Sequence, residues 1–413
     1  MTGVQPKPGR FAVAFVFITV LLDMAGFGLV MPVLPKLIET VGGVDIAGAS
    51  LLAGWLFVAY GGMQFLFGPV IGNLSDAYGR RPVLLLSVFG LVVDYLLTAF
   101  APTMIWLFIG RLFAGLCGAS YSTANAYLAD ITPPGERARA FGLMGAAFGL
   151  GFVLGPAIGG LLGEYGARVP FFAAAGLALV NLAFGYLVLP ETLPPENRRP
   201  FSLARANPFG AFKVFASYRG VVRLCAVMFI YFLATAVYPA IWAFWSIARF
   251  GWSEATIGLT LAGFGLITAV VQGALTGPAV TWLGERSTVL LGLVAAIIAA
   301  VGYGLAPGFI AVMILLLVHA PEGFVFPALS AIISKEVPAD AQGELQGGVA
   351  SLQSVAMLIG TVFFTQVFGY FMQPGAPVVS PNISYFICAA LVAVSALVFL
   401  ARPQTASRES YHP

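Results

Sequence analysis

Long apolar runs constrain this chain more than any other feature of its sequence. A membrane-spanning helix needs about 20 mostly apolar residues, and twelve segments are long and apolar enough. They lie at 11–33, 48–71, 82–100, 103–129, 138–163, 169–189, 222–247, 256–279, 287–305, 308–333, 343–370 and 379–401. Charged residues make up only 9% of the chain, against about 25% in soluble domains. The sequence therefore predicts an all-α membrane protein of twelve transmembrane helices, surrounded by the lipid bilayer.

The distribution of basic residues predicts how these helices are oriented. Cytosolic loops and helix ends of membrane proteins carry an excess of Lys and Arg. With a cytosolic N-terminus, 16 of the 20 basic residues fall at cytosolic positions. Three fall outside, at Lys36, Arg168 and Arg249, and Arg111 lies within a helix. We therefore expect both termini to be cytosolic.

A repeat divides the chain into two halves. The segments 72–81 and 277–286 have the same spacing of seven residues between their glycines, and they are offset by 205 residues. Parallel repeats of six helices are a known transporter architecture, with the substrate site between the halves near mid-membrane. The predicted units are an N-terminal six-helix half, a cytosolic linker and a C-terminal six-helix half, at 1–190, 191–221 and 222–413.

The segment 72–81 also contains a specific motif, Gly-x-Leu-x-Asp-x-x-Gly-Arg-Arg. Its glycines permit a tight turn, and Asp76 can pair with Arg80 or with a helix end. An ordinary positively charged cytosolic loop is the alternative interpretation. The motif resembles the hallmark loop of the major facilitator superfamily, which gates the cytosolic side. That resemblance implies a gating role for Gly72, Asp76, Gly79, Arg80, Arg81 and, at the end of helix 4, Asp130.

Helix 5 contains a second glycine-rich motif, within FGLMGAAFGLGFVLGPAIGG. Small residues spaced by four allow helices to approach closely, and a Gly-Pro pair favours a bend. Tight packing without further function is the alternative. The motif is similar to the signature of drug:proton antiporters, and its residues are Gly151, Gly155, Pro156, Gly159 and Gly160. The resemblance implies export. A proton-linked metabolite or sugar symporter remains the alternative, because the hallmark loop is common to the whole superfamily.

Few ionisable residues lie inside the predicted spans. They are Asp23, Asp94, Arg111, His319 and Glu322. Charges within a membrane are costly, so each residue is a functional candidate by default. We predict proton coupling by Asp23, Arg111, His319 and Glu322. Arg111 could pair with Asp23 or with Asp94, and a purely structural ion pair is the alternative. His319 and Glu322 are three residues apart and should share a helix face. They could form a second proton or cation site, and the alternative is a pair that lines a wet cavity without coupling.

Five further stretches are similar to the bacterial tetracycline efflux proteins. They are LDMAGFGLVMPVLP (22–35), VVDYLLTAFAP (92–102), IGRLFAGLCGA (109–119), AYLADITPPGERARAFGLM (126–144) and GELQGGVASL (343–352). In that family the acids of helices 1 and 3 serve transport and recognition of a metal–tetracycline chelate. The resemblance implies these roles for Asp23 and Asp94, with Arg111 beside them.

The second half departs from that family. Its His in helix 8 and Asp in helix 9 align here with Thr268 and Ala296. Glu322 instead lies in helix 10, where the family has small residues. This pattern indicates that the acid of the second half has moved.

The buried charges also predict the substrate class. Away from their ends, the predicted spans contain three acids, Asp23, Asp94 and Glu322, but only one fixed positive charge, at Arg111. Buried charge must be compensated. We therefore expect a bulky, mostly apolar drug that is cationic or binds as a Mg²⁺ chelate. The predicted substrate-binding residues are Asp94 and the aromatic residues Tyr95, Trp242 and Phe324, although aromatic side chains are also ordinary core residues.

Other function classes find little support in the sequence. It has no glycine-rich nucleotide loop, no metal-ligand cluster and only two histidines, His319 and His412. An enzyme is therefore not expected, and neither are a cofactor nor a nucleic-acid partner. A receptor or a channel does not account for the two-half repeat. We expect a monomeric transporter of the bacterial inner membrane, driven by an ion gradient.

Overall fold

Within the described residues of the computed structural model, all regular structure is helical. The structure describes residues 10–118, 120–133, 136–202, 207–212, 215, 219–338 and 341–401. The helices before the linker are α1 (Arg10–Gly42), α2 (Ile46–Tyr78), α3 (Arg80–Phe100), α4 (Met104–Cys117), α5 (Ser120–Ile131), α6 (Arg137–Gly163) and α7 (Val169–Val188). Those after it are α8 (Arg219–Thr235), α9 (Val237–Phe250), α10 (Glu254–Val270), α11 (Thr276–Leu283), α12 (Glu285–Leu305), α13 (Phe309–His319), α14 (Val325–Ser334), α15 (Gln342–Phe371) and α16 (Ile383–Leu400).

Eleven helical segments of the described chain are long and apolar enough to cross a membrane. Three of these combine α8 with α9, α10 with α11, and α13 with α14. The remaining predicted span, 103–129, is occupied by the shorter helices α4 and α5. Large apolar side chains such as Leu187 and Ile310 are exposed on the outer faces, as a lipid environment requires. The predicted all-α membrane architecture is confirmed.

Two glycines make equivalent turns in the two halves. Gly79 separates α2 from α3 with φ 109°, and Gly284 separates α11 from α12 with φ 78°. Residues with a Cβ atom are strained in this region of φ. One glycine can therefore reverse the chain between two long helices. The repeat deduced from the sequence thus has a common structural cause in both halves.

The helix boundaries follow the same repeat. The starts of α3, α4, α5 and α6 recur 205 residues later as the starts of α12, α13, α14 and α15. The interruption between α4 and α5 therefore has a counterpart between α13 and α14. In the second half this interruption is a 3₁₀ turn, Ala320–Phe324. Paired interruptions in corresponding helices often mark the binding region of a transporter.

The halves meet mainly through two helix pairs, α2 with α15 and α6 with α10. Close contacts are found at one end of these helices. There, Ser50 Oγ donates a hydrogen bond to Thr365 O at 2.9 Å. Nearby, Gln366 Nε2 donates to Leu51 O at 3.0 Å. At the opposite end, Gly72 of α2 faces open space. The halves are therefore joined at the end that the basic residues predict to be extracellular.

Candidate functional site

The hallmark loop is held together by Arg80. Its Nη1 atom lies 2.5 Å from Asp76 Oδ1, and its Nε atom lies 3.2 Å from Asp130 Oδ2. The same Nη1 donates to Ser75 Oγ at 3.0 Å. The predicted Asp76–Arg80 pair is therefore present, with Asp130 as a further partner. These bonds join α2, α3 and α5 within the N-terminal half, and the gating role itself stays a prediction.

Sequence reasoning missed Glu191, which caps the hallmark loop. Its Oε1 atom accepts a hydrogen bond from Arg80 N at 2.9 Å, and its Oε2 atom accepts one from Arg81 N at 3.2 Å. Backbone amides at a helix start lack partners within the helix, and they carry partial positive charge. Arg81 also donates to Tyr186 O at 2.8 Å. The loop is thus bonded to the last turn of α7 and to the chain that follows it, and no pattern in the sequence predicted this contact.

The glycine motif of α6 forms two packing faces. One face lies against the backbone of α1, where a Cβ atom would overlap main-chain atoms: Gly151 at Leu21, Gly155 at Ala25 and Gly159 at Leu29. The other face crosses to the C-terminal half. There, Gly160 packs on Glu254 and Gly258 of α10, and Gly258 packs on the Pro156 carbonyl. The predicted close approach is confirmed, and the motif lies at a junction between the halves.

Asp94 and Arg111 form a buried ion pair. Arg111 Nη2 lies 2.7 Å from Asp94 Oδ1 and 2.6 Å from Asp94 Oδ2. The side chain of Asp94 is 2% exposed and that of Arg111 14%. Thr98 is a further neighbour, because its Oγ1 lies 3.4 Å from Arg111 Nη2. Of the two partners considered for Arg111, the structure places Asp94 in direct contact.

Asp23 lies in the same chamber, which we call the acidic chamber. Its volume is about 30 Å³, and its polar lining comes from Asp23, Tyr60, Asp94, Tyr95 and Arg111. Asp23 is almost fully buried, at 4% exposed. A space of this size holds about one water molecule. The structure thus brings together the acids of helices 1 and 3, as the sequence predicted.

A larger cavity of about 290 Å³, which we call the central cavity, lies beside the acidic chamber, between the two halves. Phe27, Phe57 and Tyr60 line both spaces. The C-terminal half contributes residues that include Pro239 and Met357. Arg111 Cζ lies 6.0 Å from the centre of the Tyr60 ring, at the outer range of a cation–π contact. Tyr60, which sequence reasoning missed, therefore stands between the acids and the central cavity.

His319 lies in an aromatic cluster of the C-terminal half. Its ring centre is 4.6 Å from that of Tyr238 and 5.0 Å from that of Phe264. Its Nδ1 atom is 3.4 Å from the Tyr303 hydroxyl. His319 and Trp242 both line a small cavity of about 20 Å³. The Trp242 Nε1 atom donates a hydrogen bond to Thr260 Oγ1 at 3.0 Å.

Glu322 lies just beyond the helix that carries His319, and the predicted shared face stays a prediction. α13 ends at His319, and Glu322 lies in the 3₁₀ turn Ala320–Phe324. Pro321 has no N–H group to continue the α-helical hydrogen bonds. The Tyr231 hydroxyl of α8 donates a hydrogen bond to the Glu322 carboxylate. Neither the interruption nor Tyr231 was expected from the sequence.

The Glu322 turn faces another irregular segment. Residues Val271–Leu275, between α10 and α11, form a π-helical turn, a feature that often occurs at functional sites. A Cβ atom on Gly323 would lie 3.1 Å from Val271 Cγ1. Of the aromatic residues predicted to bind substrate, Tyr95 and Trp242 line cavities, and Phe324 is a buried residue at the end of the turn. Their substrate contacts stay predictions.

Sequence comparison identifies the family. The profile of the Major Facilitator Superfamily matches residues 16–361. The chain belongs to the Major Facilitator Superfamily. This member of the superfamily is 42% identical to the class C tetracycline resistance protein of Escherichia coli, over 85% of its own length and 88% of the relative's. It is 35% identical to the class B protein of E. coli, over 85% and 86%. It is also 29% identical to the human Hippocampus abundant transcript 1 protein, over 89% and 76%.

Solved structures support the same fold. The human organic anion transporter MFSD10 (TETRAN) aligns with a TM-score of 0.68 and 25% identity, covering 96% of this chain and 100% of that one. A bacterial homolog of the human lysosomal transporter Spinster, in an inward-facing conformation, aligns with a TM-score of 0.75. It is 17% identical and covers 96% of this chain and 97% of its own, so it bears on the fold alone. This superfamily member is therefore a multi-pass membrane protein with a transporter fold.

Proposed function

We propose that this protein exports drug-like small molecules in exchange for protons. The observation that carries the proposal is the acidic chamber beside the central cavity. It contains two carboxylates, Asp23 and Asp94, and the fixed charge of Arg111. Arg111 contacts Asp94 directly. Because one positive charge cannot balance two carboxylates, full ionisation of both acids would leave a net negative charge in the chamber.

That charge balance suggests the exchange reaction. Net charge in a poorly hydrated chamber within the membrane is unfavourable. Either a proton or a positive substrate can compensate it. If the two compensate the same charge, binding of one favours release of the other. Protons arriving from outside would then drive drugs outward, with Asp23 as the carboxylate that takes up and releases the proton.

The substrate proposal extends to tetracycline. The relatives named above as tetracycline resistance proteins are similar over most of the chain. A tetracycline chelated to Mg²⁺ would bring positive charge to Asp94, with the metal as part of the substrate. Tyr95 and Trp242 line neighbouring cavities and offer apolar surface for the rings. The same relatives favour drug export over the alternative of metabolite or sugar symport.

The second half supplies a further coupling group in this proposal. Ala296 is buried in α12, the helix that packs on the Glu322 turn. On the same helix, Gly292 contacts the Pro321 carbonyl. Glu322 thus lies on the segment that packs against α12, the helix in which Ala296 replaces the acid of the tetracycline efflux proteins. We assign it a second proton, with His319 nearby on the interrupted helix.

We further propose the bacterial inner membrane as the location, with both termini cytosolic and a monomeric state. In that orientation the contacts between Ser50 and Thr365 close the extracellular end. The central cavity would then be reached from the cytosol, where an exporter collects its substrate.

Drug-susceptibility tests in a pump-deficient bacterial host would test this function. The panel should include a tetracycline, a cationic dye and an anionic compound of similar size. Expression should raise resistance to the first two, and Asp23→Asn should abolish that resistance. Glu196→Gln is the matched control, because it neutralises an exposed carboxylate of the linker. Unchanged susceptibility to the whole panel, with the protein present in the membrane, would contradict drug export.

A further inference from the structure

A further cavity lies inside the N-terminal half and faces the membrane. Its volume is about 260 Å³, and α1, α3, α6 and α7 line it. At its rim, Leu154, Ile158 and Leu177 are between 40% and 52% exposed. These three residues belong to membrane-spanning segments. The cavity therefore opens toward lipid hydrocarbon, between α6 and α7, and not toward the central cavity.

The lining determines what this cavity can hold. It is mainly aliphatic, with residues such as Leu29, Val88 and Leu91. Apolar cavities stay dry, and one of about 150 Å³ suffices to bind benzene. A larger cavity of the same character suits a ring-sized apolar group. Because the opening lies within the bilayer, such a group would enter from the lipid.

One polar side chain adds a second requirement. Asn181 of α7 is 4% exposed and lines the cavity. Its Nδ2 atom donates to Thr19 Oγ1 at 2.9 Å. Its Oδ1 atom has no hydrogen-bond partner among the described residues. A buried acceptor in apolar surroundings is unfavourable until it receives a donor. A ligand with a hydroxyl or amino group would supply that donor.

The cavity is separated from the acidic chamber by a thin wall. Gly26, Leu91 and Tyr95 line both spaces. The Tyr95 hydroxyl packs directly on Gly26, where a Cβ atom would overlap it. The absence of a side chain at Gly26 thus allows the Tyr95 ring to divide the two spaces.

We propose that this cavity is a second binding site, distinct from the central one. Its ligand is an amphiphile taken from the bilayer, with a ring-sized apolar body and one hydrogen-bond donor that binds Asn181 Oδ1. Tyr95 separates this ligand from Asp23 and Asp94. Binding here does not depend on the export reaction, so the proposal stands or fails separately from proton-coupled drug export.

Photolabelling of the full-length protein in lipid nanodiscs tests this proposal. The probes are a phenyl diazirine that carries a hydroxymethyl group and the same diazirine without it. Peptide mapping by mass spectrometry would locate the labelled residues. We expect saturable labelling of α1 and α7 by the hydroxymethyl probe, with excess benzyl alcohol competing. In Asn181→Leu its affinity should fall about tenfold, because one hydrogen bond is lost, while the probe without the hydroxyl should bind as before.

A matched pair of substitutions on α7 provides the control. Ala178→Phe fills the cavity and should abolish saturable labelling by both probes. Ala183→Phe makes the same change at an exposed position and should leave labelling intact. This pair decides the outcome even if Asn181→Leu does not fold. Labelling that rises linearly with probe concentration and ignores Ala178→Phe would overturn the site. Equal losses for both probes in a folded Asn181→Leu variant would overturn the donor requirement. If Ala178→Phe displaces co-purifying phospholipid and leaves probe labelling unchanged, the occupant is an acyl chain and the proposal is wrong.

Discussion

Removal of the Asp94 charge should strongly destabilise the protein. Arg111 Nη2 contacts both carboxylate oxygens of Asp94, at 2.6 and 2.7 Å, and both side chains are largely buried, at 2% exposed for Asp94 and 14% exposed for Arg111. Asp94→Asn keeps the side-chain volume but leaves Arg111 without its counter-charge. Breaking a buried pair from one side costs about 3–5 kcal/mol. Because an amide oxygen can still accept from the guanidinium, we expect about 3 kcal/mol, at the lower end.

The free energy of unfolding can be measured by titration with a denaturing detergent in mixed micelles, followed by circular dichroism. A double-mutant cycle with Asp94→Leu and Arg111→Met isolates the interaction between the two side chains. The double variant should be more stable than either single variant, because neither charge is left alone. Glu196→Gln should stay within about 0.5 kcal/mol of the parent, as expected for a surface substitution. If Asp94→Asn matches the parent in stability, the pair does not hold α3 to α4 and the reasoning is wrong.

Three further predictions concern the hallmark loop, Glu164 and the glycine motif of α6. Asp76→Ala removes a partner of Arg80 and should raise cysteine labelling at the cytosolic helix ends. Unchanged labelling with normal transport would leave the hallmark loop with only a topological role. Hydrogen bonds from the Ser253 hydroxyl and the Ala255 amide lower the pKa of Glu164, which joins α6 to α10 at the end that the basic residues predict to be extracellular. A lowered pKa means that the bonds hold while Glu164 is ionised and weaken as pH falls through that lowered pKa. Glu164→Gln should thus lengthen the distance between spin labels on these helix ends at neutral pH and remove its response to acid; a distance equal to the parent's would refute this. Gly155→Leu should prevent close packing of α6 on α1 and abolish export, whereas normal export would show that the glycine is dispensable.

The sequence predicted those features that depend on local pattern. Apolar length gave the spans, and the glycine spacing gave the repeat, because one turn geometry recurs at Gly79 and Gly284. Charge complementarity gave the Asp76–Arg80 pair, since its members are one helical turn apart. For Arg111 the same principle allowed two partners, and only the packing of α3 on α4 distinguishes them.

The sequence could not predict contacts between distant helices. Tyr231 reaches Glu322 across 91 positions of the chain, and periodicity does not specify which neighbour a helix face meets. Pro321 was visible in the sequence, but whether it bends a helix or interrupts it depends on the helices around it. The interruption at Ala320–Phe324 therefore appeared only in the structure.

Simultaneous measurement of drug and proton movement tests the central claim most directly. The purified protein would be reconstituted in liposomes that contain a pH-sensitive dye, with substrate added to one side and no imposed gradient. The account predicts that downhill substrate flux drives protons in the opposite direction, and that Asp23→Asn abolishes this proton movement. Substrate flux with no opposing proton movement, or proton movement that persists unchanged in Asp23→Asn, would contradict it.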